Sequence, residues 1–438
     1  MHRLYFNGAP PLLPVSLAGS KSIAARALVL SHVFLFRMWL DSGCSDAAPE
    51  WCMRLKNLPL CDDAIELRNA LDVLRNDIFG NQPAGTRYYL GMGGTSLRFF
   101  LALAASLPGF NGVIDCGDAL KKRPLKPLLD ALRCAGADIE CLESEGCAPL
   151  RVKGKILSGT HVTVDLAKSS QFASALLMAS QLWSDPFHPE ADAENVHNAV
   201  SRPYYEMTRR MVEIFRNFYC HANLIANPVF NVESDWSGAA FFYEYALLRP
   251  GVTVEIQNFP PLKDSLQGDS ACCSIFQSLG VETRVSPSGT GIITGNPEII
   301  AALASGSNPF PFDLCDTPDI VPALAVGMCL AGIRFEITGI AHLRLKESDR
   351  INSLSMELRK LGFVVDCVGD RLLWRGVRCA ANSRPPIVAS HGDHRIAMAL
   401  AVAAAKIGGL QLADADVVTK SFPDFFAQLG RLGVSSIR

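Results

Sequence analysis

No Cys-x-x-Cys pair occurs in this 438-residue chain, although it carries 14 cysteines. Zinc sites and disulfide frameworks need regular cysteine spacing, so scattered thiols point to a reducing compartment and to no structural metal. An excess of basic charge is also missing: 41 Lys and Arg face 43 Asp and Glu, a formal net charge of −2. A nucleic-acid surface is therefore not indicated, and any anion site must come from local clustering of cations. The start, Met1-His2-Arg3-Leu4-Tyr5-Phe6, lacks a long apolar stretch and reads as a first strand, not a signal peptide. The apolar run 321–333 falls short of the ~20 residues that a bilayer span requires. These absences leave a cytoplasmic chain that needs neither membrane nor nucleic acid. Its 49% hydrophobic content supplies a large core. At roughly 100–200 residues per domain, two or three domains are expected.

What is present is, first, a recurring unit. Residues 130–136 read as a helix ending at Gly136, then a strand at 137–141, a polar turn and a strand from Leu150. The same order returns at 276–293 and 356–374, and begins again at 429–433. Helical periodicity stopped by glycine and followed by β-rich residues across a turn predicts a helix plus a two-stranded hairpin. The spacing is irregular, so a few α+β units packed into lobes are expected, not a solenoid. The polar, proline-containing stretch 223–228 marks a lobe boundary.

Second, polar or glycine-rich segments open directly into small-residue apolar helices. Gly19-Ser20-Lys21-Ser22 precedes 23–30, Gly93-Gly94-Thr95 precedes a stripe of Leu97, Phe100 and Leu101, and Ser169-Ser170-Gln171 and Asp393-His394-Arg395 precede similar runs. Each alone is an ordinary helix start. Lys21, Arg26, Arg98, Arg350 and Arg395, however, all fall in or near first turns. The helix dipole disfavours cations there, and unpaired N–H groups favour anions, so the cluster points to an anionic ligand. Acids join the cations in Asp313-Leu314-Cys315-Asp316-Thr317-Pro318-Asp319 and in Arg344-Leu345-Lys346-Glu347-Ser348-Asp349-Arg350. Alone, Leu-Arg-Leu-Lys at 343–346 would suit an exposed strand and Glu-Ser-Asp-Arg at 347–350 a capped helix start; together they hold two carboxylates and three cations within seven residues. Lys420 stands ahead of a helix beginning near Pro423.

Taken in order, these strings resemble the 5-enolpyruvylshikimate-3-phosphate synthase family of enolpyruvyl transferases over nearly the whole chain. Further matches are Arg123-Pro124, Ser201-Arg202-Pro203-Tyr204, Val232-Glu233-Ser234-Asp235 and Lys420-Ser421-Phe422-Pro423-Asp424. The resemblance implies an α+β fold of two similar lobes, each of three repeated units, with buried helices, outer sheets and an inside-out barrel-like form. It implies an N-terminal lobe of 15–228, mainly for shikimate 3-phosphate. The other lobe, 1–14 plus 229–438, would supply phosphoenolpyruvate-binding and acid–base residues. Lys21, Ser22, Arg26, Ser169, Ser170, Gln171, Ser201, Asp319, His342 and Lys346 would hold shikimate 3-phosphate. Lys21, Gly94, Arg123, Gln171, Arg350, Arg395 and Lys420 would hold phosphoenolpyruvate. Asp319, Glu347, Lys21 and Lys420 would be catalytic, with Asp319 and Glu347 moving protons.

The implied reaction needs such residues. The 5-hydroxyl of shikimate 3-phosphate loses a proton as it attacks C2 of phosphoenolpyruvate while C3 gains one; the tetrahedral intermediate then collapses, expelling phosphate and giving up a C3 proton as the double bond reforms. Fixed cations offset the repulsion between two polyanions. No metal or organic cofactor is required, and a monomer is expected. Met92 and His342 stand where the family commonly has Asn, as does Ala25. Two other readings are a UDP-N-acetylglucosamine enolpyruvyl transferase, whose reactive cysteine Cys116 would have to represent, and a non-catalytic ligand-binding relative. Lys21-Ser22 favours shikimate over the first, and the presence of Lys21, Asp319, Glu347 and Lys420 disfavours the second.

Overall fold

The glycine-stopped helices become helix–hairpin units in the computed structural model, which describes residues 1–8, 13–44, 53–80, 85–123, 125–160, 162, 170–187, 201–222 and 227–438. Gly136, Gly280, Gly362 and Gly433 all have positive φ, from 84 to 101°. A side chain is strained in that conformation, so glycine ends each helix and turns the chain into the next strand. The chain divides into two units: Lys21–Val232, and a discontinuous one made of Met1–Ser20 and Glu233–Arg438.

After β1 (His2–Phe6), the 21–232 unit contains α1 (Lys21–Asp41), β2 (Arg54–Lys56), α2 (Asp62–Phe79), β3 (Thr86–Tyr89) and α3 (Gly94–Ala105). There follow β4 (Asn111–Asp115), α4 (Asp118–Lys121), α5 (Lys126–Cys134), β5 (Asp138–Cys141), β6 (Leu150–Lys153), α6 (Ser170–Ala179), α7 (Arg202–Cys220) and β7 (Val229–Asn231). One sheet runs β3-β4-β6-β5, and β2 pairs with β7. Parallel β3 and β4 finish level, Tyr89 opposite Asp115, and Gly117 N–H donates to Gly91 O at 2.8 Å. That register delivers the α3 start and the segment carrying Arg123 to one sheet edge. The helix expected over 23–30 extends to Asp41. By length and composition α1 would pass for a membrane span, but Ile23, Leu30 and Phe36 lie buried within this unit.

The discontinuous unit adds α8 (Trp236–Leu248), β8 (Thr253–Ile256), α9 (Cys272–Ser278), β9 (Val281–Val285), β10 (Gly291–Gly295), α10 (Pro297–Ser305), β11 (Phe310–Asp313) and α11 (Val321–Ala331). It continues with β12 (Phe335–Thr338), α12 (Arg350–Lys360), β13 (Asp366–Val368), β14 (Arg371–Trp374), β15 (Ile387–Ala389), α13 (His394–Ile407), β16 (Gly409–Ala413), α14 (Phe425–Gly430) and β17 (Val434–Ile437). Three sheets, β8-β10-β9, β11-β12-β14-β13 and β15-β16-β1-β17, surround α8, α11 and α13. Every residue of α8 is buried, and only Ala331 of α11 is not, as expected for helices apolar on all sides. Strands such as β8 and β16 alternate buried with exposed or half-buried positions, as expected for strands with one face on the core.

Several boundaries differ from the sequence-based ones. The units change after Ser20 and Val232, not after 14 and 228, because Val15 N–H donates to Glu255 O at 2.8 Å and Gly19 pairs with Ser234. The stretch expected to mark the boundary includes 223–226, which lie outside the described residues. The stretch 343–346, which on its own would suit an exposed strand, lies largely in a 3-10 turn, Ala341–Leu345. The last helix starts at Phe425, beyond Pro423, and Lys420 ends a separate 3-10 turn.

Candidate active site

Four distant stretches of the discontinuous unit meet around Arg350, whose side chain is 1% exposed. Its Nε donates to Asp393 Oδ2 at 2.8 Å, Nη1 to Asp319 Oδ1 at 3.0 Å, and Nη2 to Glu347 Oε2 at 3.2 Å. Arg395 Nη2 reaches Asp319 Oδ2 at 2.7 Å, and Lys420 Nζ reaches Glu347 Oε1 at 3.2 Å. Local structure explains the placement. Asp393 caps α13 by accepting from Arg395 N–H at 2.9 Å, and Asp349 caps α12 by accepting from Asn352 N–H at 3.1 Å. Asp319 precedes α11 but makes no cap: that helix begins on Ile320, leaving the carboxylate for the two arginines.

The electrostatics follow from burial and partners. Burial alone pushes the Asp319 carboxyl up, but Arg395, Lys346 and Arg350 together hold it well below the usual carboxylate range. Burial lowers the Arg350 guanidinium, and Asp393, Asp319 and Glu347 more than reverse this. The Lys346 ammonium is lowered, chiefly by burial. His342 lies in the 3-10 turn, where burial and then the Lys346 charge push its imidazole down to about 4. Its Nε2 makes no hydrogen bond among the described residues.

The 21–232 unit gathers a second group. Lys21 Nζ donates to Asp63 Oδ2 at 2.9 Å. Arg98 Nη1 donates to Gly94 O at 3.0 Å and Gln171 Oε1 at 2.9 Å, while its guanidinium lies over the Phe172 ring. A Cβ on Gly94 would fall 2.8 Å from Arg98 Nη1 and 3.0 Å from Arg123 Nη1, so glycine lets both guanidinium groups close on the helix start. Arg26 is buried; it donates to Thr208 Oγ1 at 2.6 Å, Tyr204 O at 3.0 Å and Ser22 O at 2.8 Å. Burial lowers its guanidinium to about 10. Ser170 opens α6 and is buried, and Ser201 caps α7 from a left-handed backbone, φ 56°. Ser169 and Pro124 lie outside the described residues. Met92 packs over Gly117, its Sδ 2.3 Å from where a Cβ would sit there. Cys116 is 2% exposed and burial pushes its thiol up to about 11, so the thiolate is scarce at neutral pH.

Three acids were missed in the sequence. Asp63 reads as one of two acids at a helix start, and Asp393 as a cap only. Asp269 sits in an ordinary-looking Gly-Asp-Ser turn, but it accepts from the Ser237 hydroxyl, and burial and the Asp319 charge raise its carboxyl. Only the paired Asp62-Asp63 and the Asp-His-Arg string gave any signal.

The family described as EPSP synthase (3-phosphoshikimate 1-carboxyvinyltransferase) matches residues 54–429. The chain is 32% identical to a 3-phosphoshikimate 1-carboxyvinyltransferase of Bacteroides fragilis, with 98% of each chain covered. It is 37% identical to that of Syntrophobacter fumaroxidans, with 95% of this chain and 96% of the relative covered. Among solved structures, an EPSP synthase from Acinetobacter baumannii superposes with a TM-score of 0.65 at 20% identity, covering 100% of this chain and 99% of that one. The enolpyruvyl transferase NikO from Streptomyces tendae gives 0.63 at 13% identity, covering 100% and 98%. The fold is that of the enolpyruvyl transferases. By family match and by relatives above 30% identity, the chain belongs to the EPSP synthase family.

Proposed function

We propose that this protein transfers the enolpyruvyl group of phosphoenolpyruvate to the 5-hydroxyl of shikimate 3-phosphate, releasing phosphate, as a cytoplasmic monomer. The observation that carries this reading is the Arg350 cluster. Acids and cations from four separate segments are buried together, with Asp319 shared between Arg350 and Arg395. In this reading shikimate 3-phosphate is contacted by Lys21, Ser22, Ser169, Ser170, Gln171, Ser201, Asp319, His342 and Lys346. Arg26, held by backbone and hydroxyl acceptors, adds positive potential and braces α1 against α7. Phosphoenolpyruvate is held by Arg395, Arg350 and Lys420, with Lys21, Arg123, Gln171 and the backbone at Gly94.

The proton steps follow from the ionic network. A carboxylate held as low as Asp319 is a weak base. An arriving carboxylate or phosphate competes for Arg395, and each contact withdrawn from Asp319 lets its proton affinity rise. The base is thus strengthened when the second substrate is seated, and Asp319 takes the 5-hydroxyl proton as oxygen attacks C2. Glu347, released from Lys420 by the same competition, exchanges the proton at C3. Lys420 and Lys21 stabilise the phosphate leaving group. Buried, scarcely ionised Cys116 disfavours a cysteine-dependent UDP-sugar transferase. The test is phosphate release from phosphoenolpyruvate with each acceptor in turn. Shikimate 3-phosphate should support it and UDP-N-acetylglucosamine should not; the opposite pattern overturns the proposal.

A further inference from the structure

Outside the groups assigned above, one fully buried carboxylate carries an unusual set of partners. Glu357 lies two turns along α12 from Arg350, and its side chain is 0% exposed. Oε1 accepts from His391 Nε2 at 2.6 Å and Lys360 Nζ at 2.7 Å; Oε2 accepts from Ala389 N–H and Lys360 Nζ, both at 2.9 Å. Ala389 ends β15, and 390–393 lead from it to the α13 cap. That connection turns sharply, with φ of 55° at His391 and 70° at Gly392. A non-glycine residue in the left-handed region persists only where its surroundings enforce it.

Helix α12 therefore grips this loop at both ends. Glu357 holds Ala389 and His391 at its start, and Arg350 holds Asp393 at its end, at 2.8 and 3.3 Å. Asp393 in turn accepts from the Arg395 N–H, which sets where the Arg395 guanidinium emerges. We infer that Glu357, with His391 as its donor, is a positioning residue for the reaction: it fixes the loop that aims Asp393 and Arg395. Lys360 neutralises the buried carboxylate, so the clamp holds without leaving an uncompensated charge. The neutral ring donates from Nε2 as well as the charged one does, so the clamp does not require protonated His391. The inference rests on the proposed role of Arg395 toward phosphoenolpyruvate.

Kinetics on the full chain test it. Glu357→Gln keeps volume but cannot accept all four hydrogen bonds. His391→Gly removes the donor and relieves the left-handed backbone, so it tests the contact without adding strain. His391→Gln restores a donor. Misplacement of reacting groups by ~1 Å can cost about 100-fold, and a loosened loop is expected to raise the KM for phosphoenolpyruvate about tenfold in Glu357→Gln and His391→Gly. His391→Gln should return most of that loss, and the affinity for shikimate 3-phosphate alone should change less than about twofold. Should Glu357→Gln fail to fold, the His391 pair decides. An unchanged KM for phosphoenolpyruvate, or equal loss in His391→Gly and His391→Gln, overturns the inference. A parent enzyme inactive with shikimate 3-phosphate would instead overturn the reaction assigned above.

Discussion

Arg26 and Arg350 are both buried, both near the start of a helix, and differ in what surrounds them. Among the described residues Arg26 meets neutral acceptors: the Thr208 and Ser174 hydroxyls and the carbonyls of Tyr204 and Ser22. Arg350 meets Asp319, Glu347 and Asp393. Burial lowers the first guanidinium to about 10, whereas carboxylates raise the second. The same contrast holds for the groups around them. Lys21, Arg26, Arg98 and Arg123 are accompanied by Asp63, while Lys346, Arg350, Arg395 and Lys420 are matched by Asp319, Glu347 and Asp393. A group in which cations predominate is prepared to receive a polyanion. A nearly balanced one holds proton-transferring acids in fixed positions until a substrate disturbs it.

The largest expected effect is on turnover. Asp319→Asn preserves shape but cannot take a proton, and positioned acid–base groups contribute on the order of 10²–10⁴-fold. Steady-state rates should fall by that much, with unchanged circular dichroism. Near-normal turnover would remove the acid–base part from the balanced cluster. Stability separates the two arginines next. Arg350→Met strands buried carboxylates and should cost about 3–5 kcal/mol in urea unfolding. Arg26→Met strands none: Thr208 still reaches Ser174 Oγ at 2.9 Å, and Tyr204 O still accepts from Thr208 at 3.0 Å. It should cost less than about 1 kcal/mol. Equal losses would erase the comparison.

These two clusters were not equally legible in the sequence. Asp319, Glu347, Arg350, Arg395 and Lys420 stand in ordered strings whose mixed charges are odd for helix starts, so their meeting was readable from pattern and resemblance. Asp63 and Glu357 were not. Each is an acid on a helix with a wet face, where acids are ordinary, and its partner is 42 or 34 residues away in the chain. Only tertiary folding creates the pair. Element type was readable wherever periodicity ran long, as in the glycine-stopped repeats. It failed at 341–345, where a short charged apolar alternation forms a 3-10 turn because packing of Leu343 overrides strand propensity.

A smaller effect probes the cationic group. Gly94→Ala places a methyl within 3.0 Å of both Arg98 and Arg123 unless they shift. The KM for phosphoenolpyruvate should rise severalfold while kcat stays within about twofold, the signature of lost uniform binding. Glyphosate, a longer anion that competes for the same site in the family, should lose more affinity than phosphoenolpyruvate does. The parent is expected to be sensitive, since Met92 packs over Gly117 while the atoms nearest a Cβ at Gly94 are those of Arg98 and Arg123. A parent that is insensitive and unchanged by the methyl would place the anion elsewhere.

The smallest expected effect concerns His342, beside the balanced cluster. Its imidazole is pushed from 6.5 down to about 4, first by burial and then by Lys346, so the unfolded chain takes up this proton before the folded one does. Between those values the unfolded state binds more protons, and stability therefore falls as pH drops from 6.5 to 4 and is insensitive to this group above 6.5. His342→Asn removes the term, so its unfolding free energy should decline less than the parent's between pH 7.5 and pH 5. Parallel declines would mean that His342 titrates normally. In that case neither the burial of the ring nor the positive potential of Lys346 shifts it, and the site is more solvated than its structure implies.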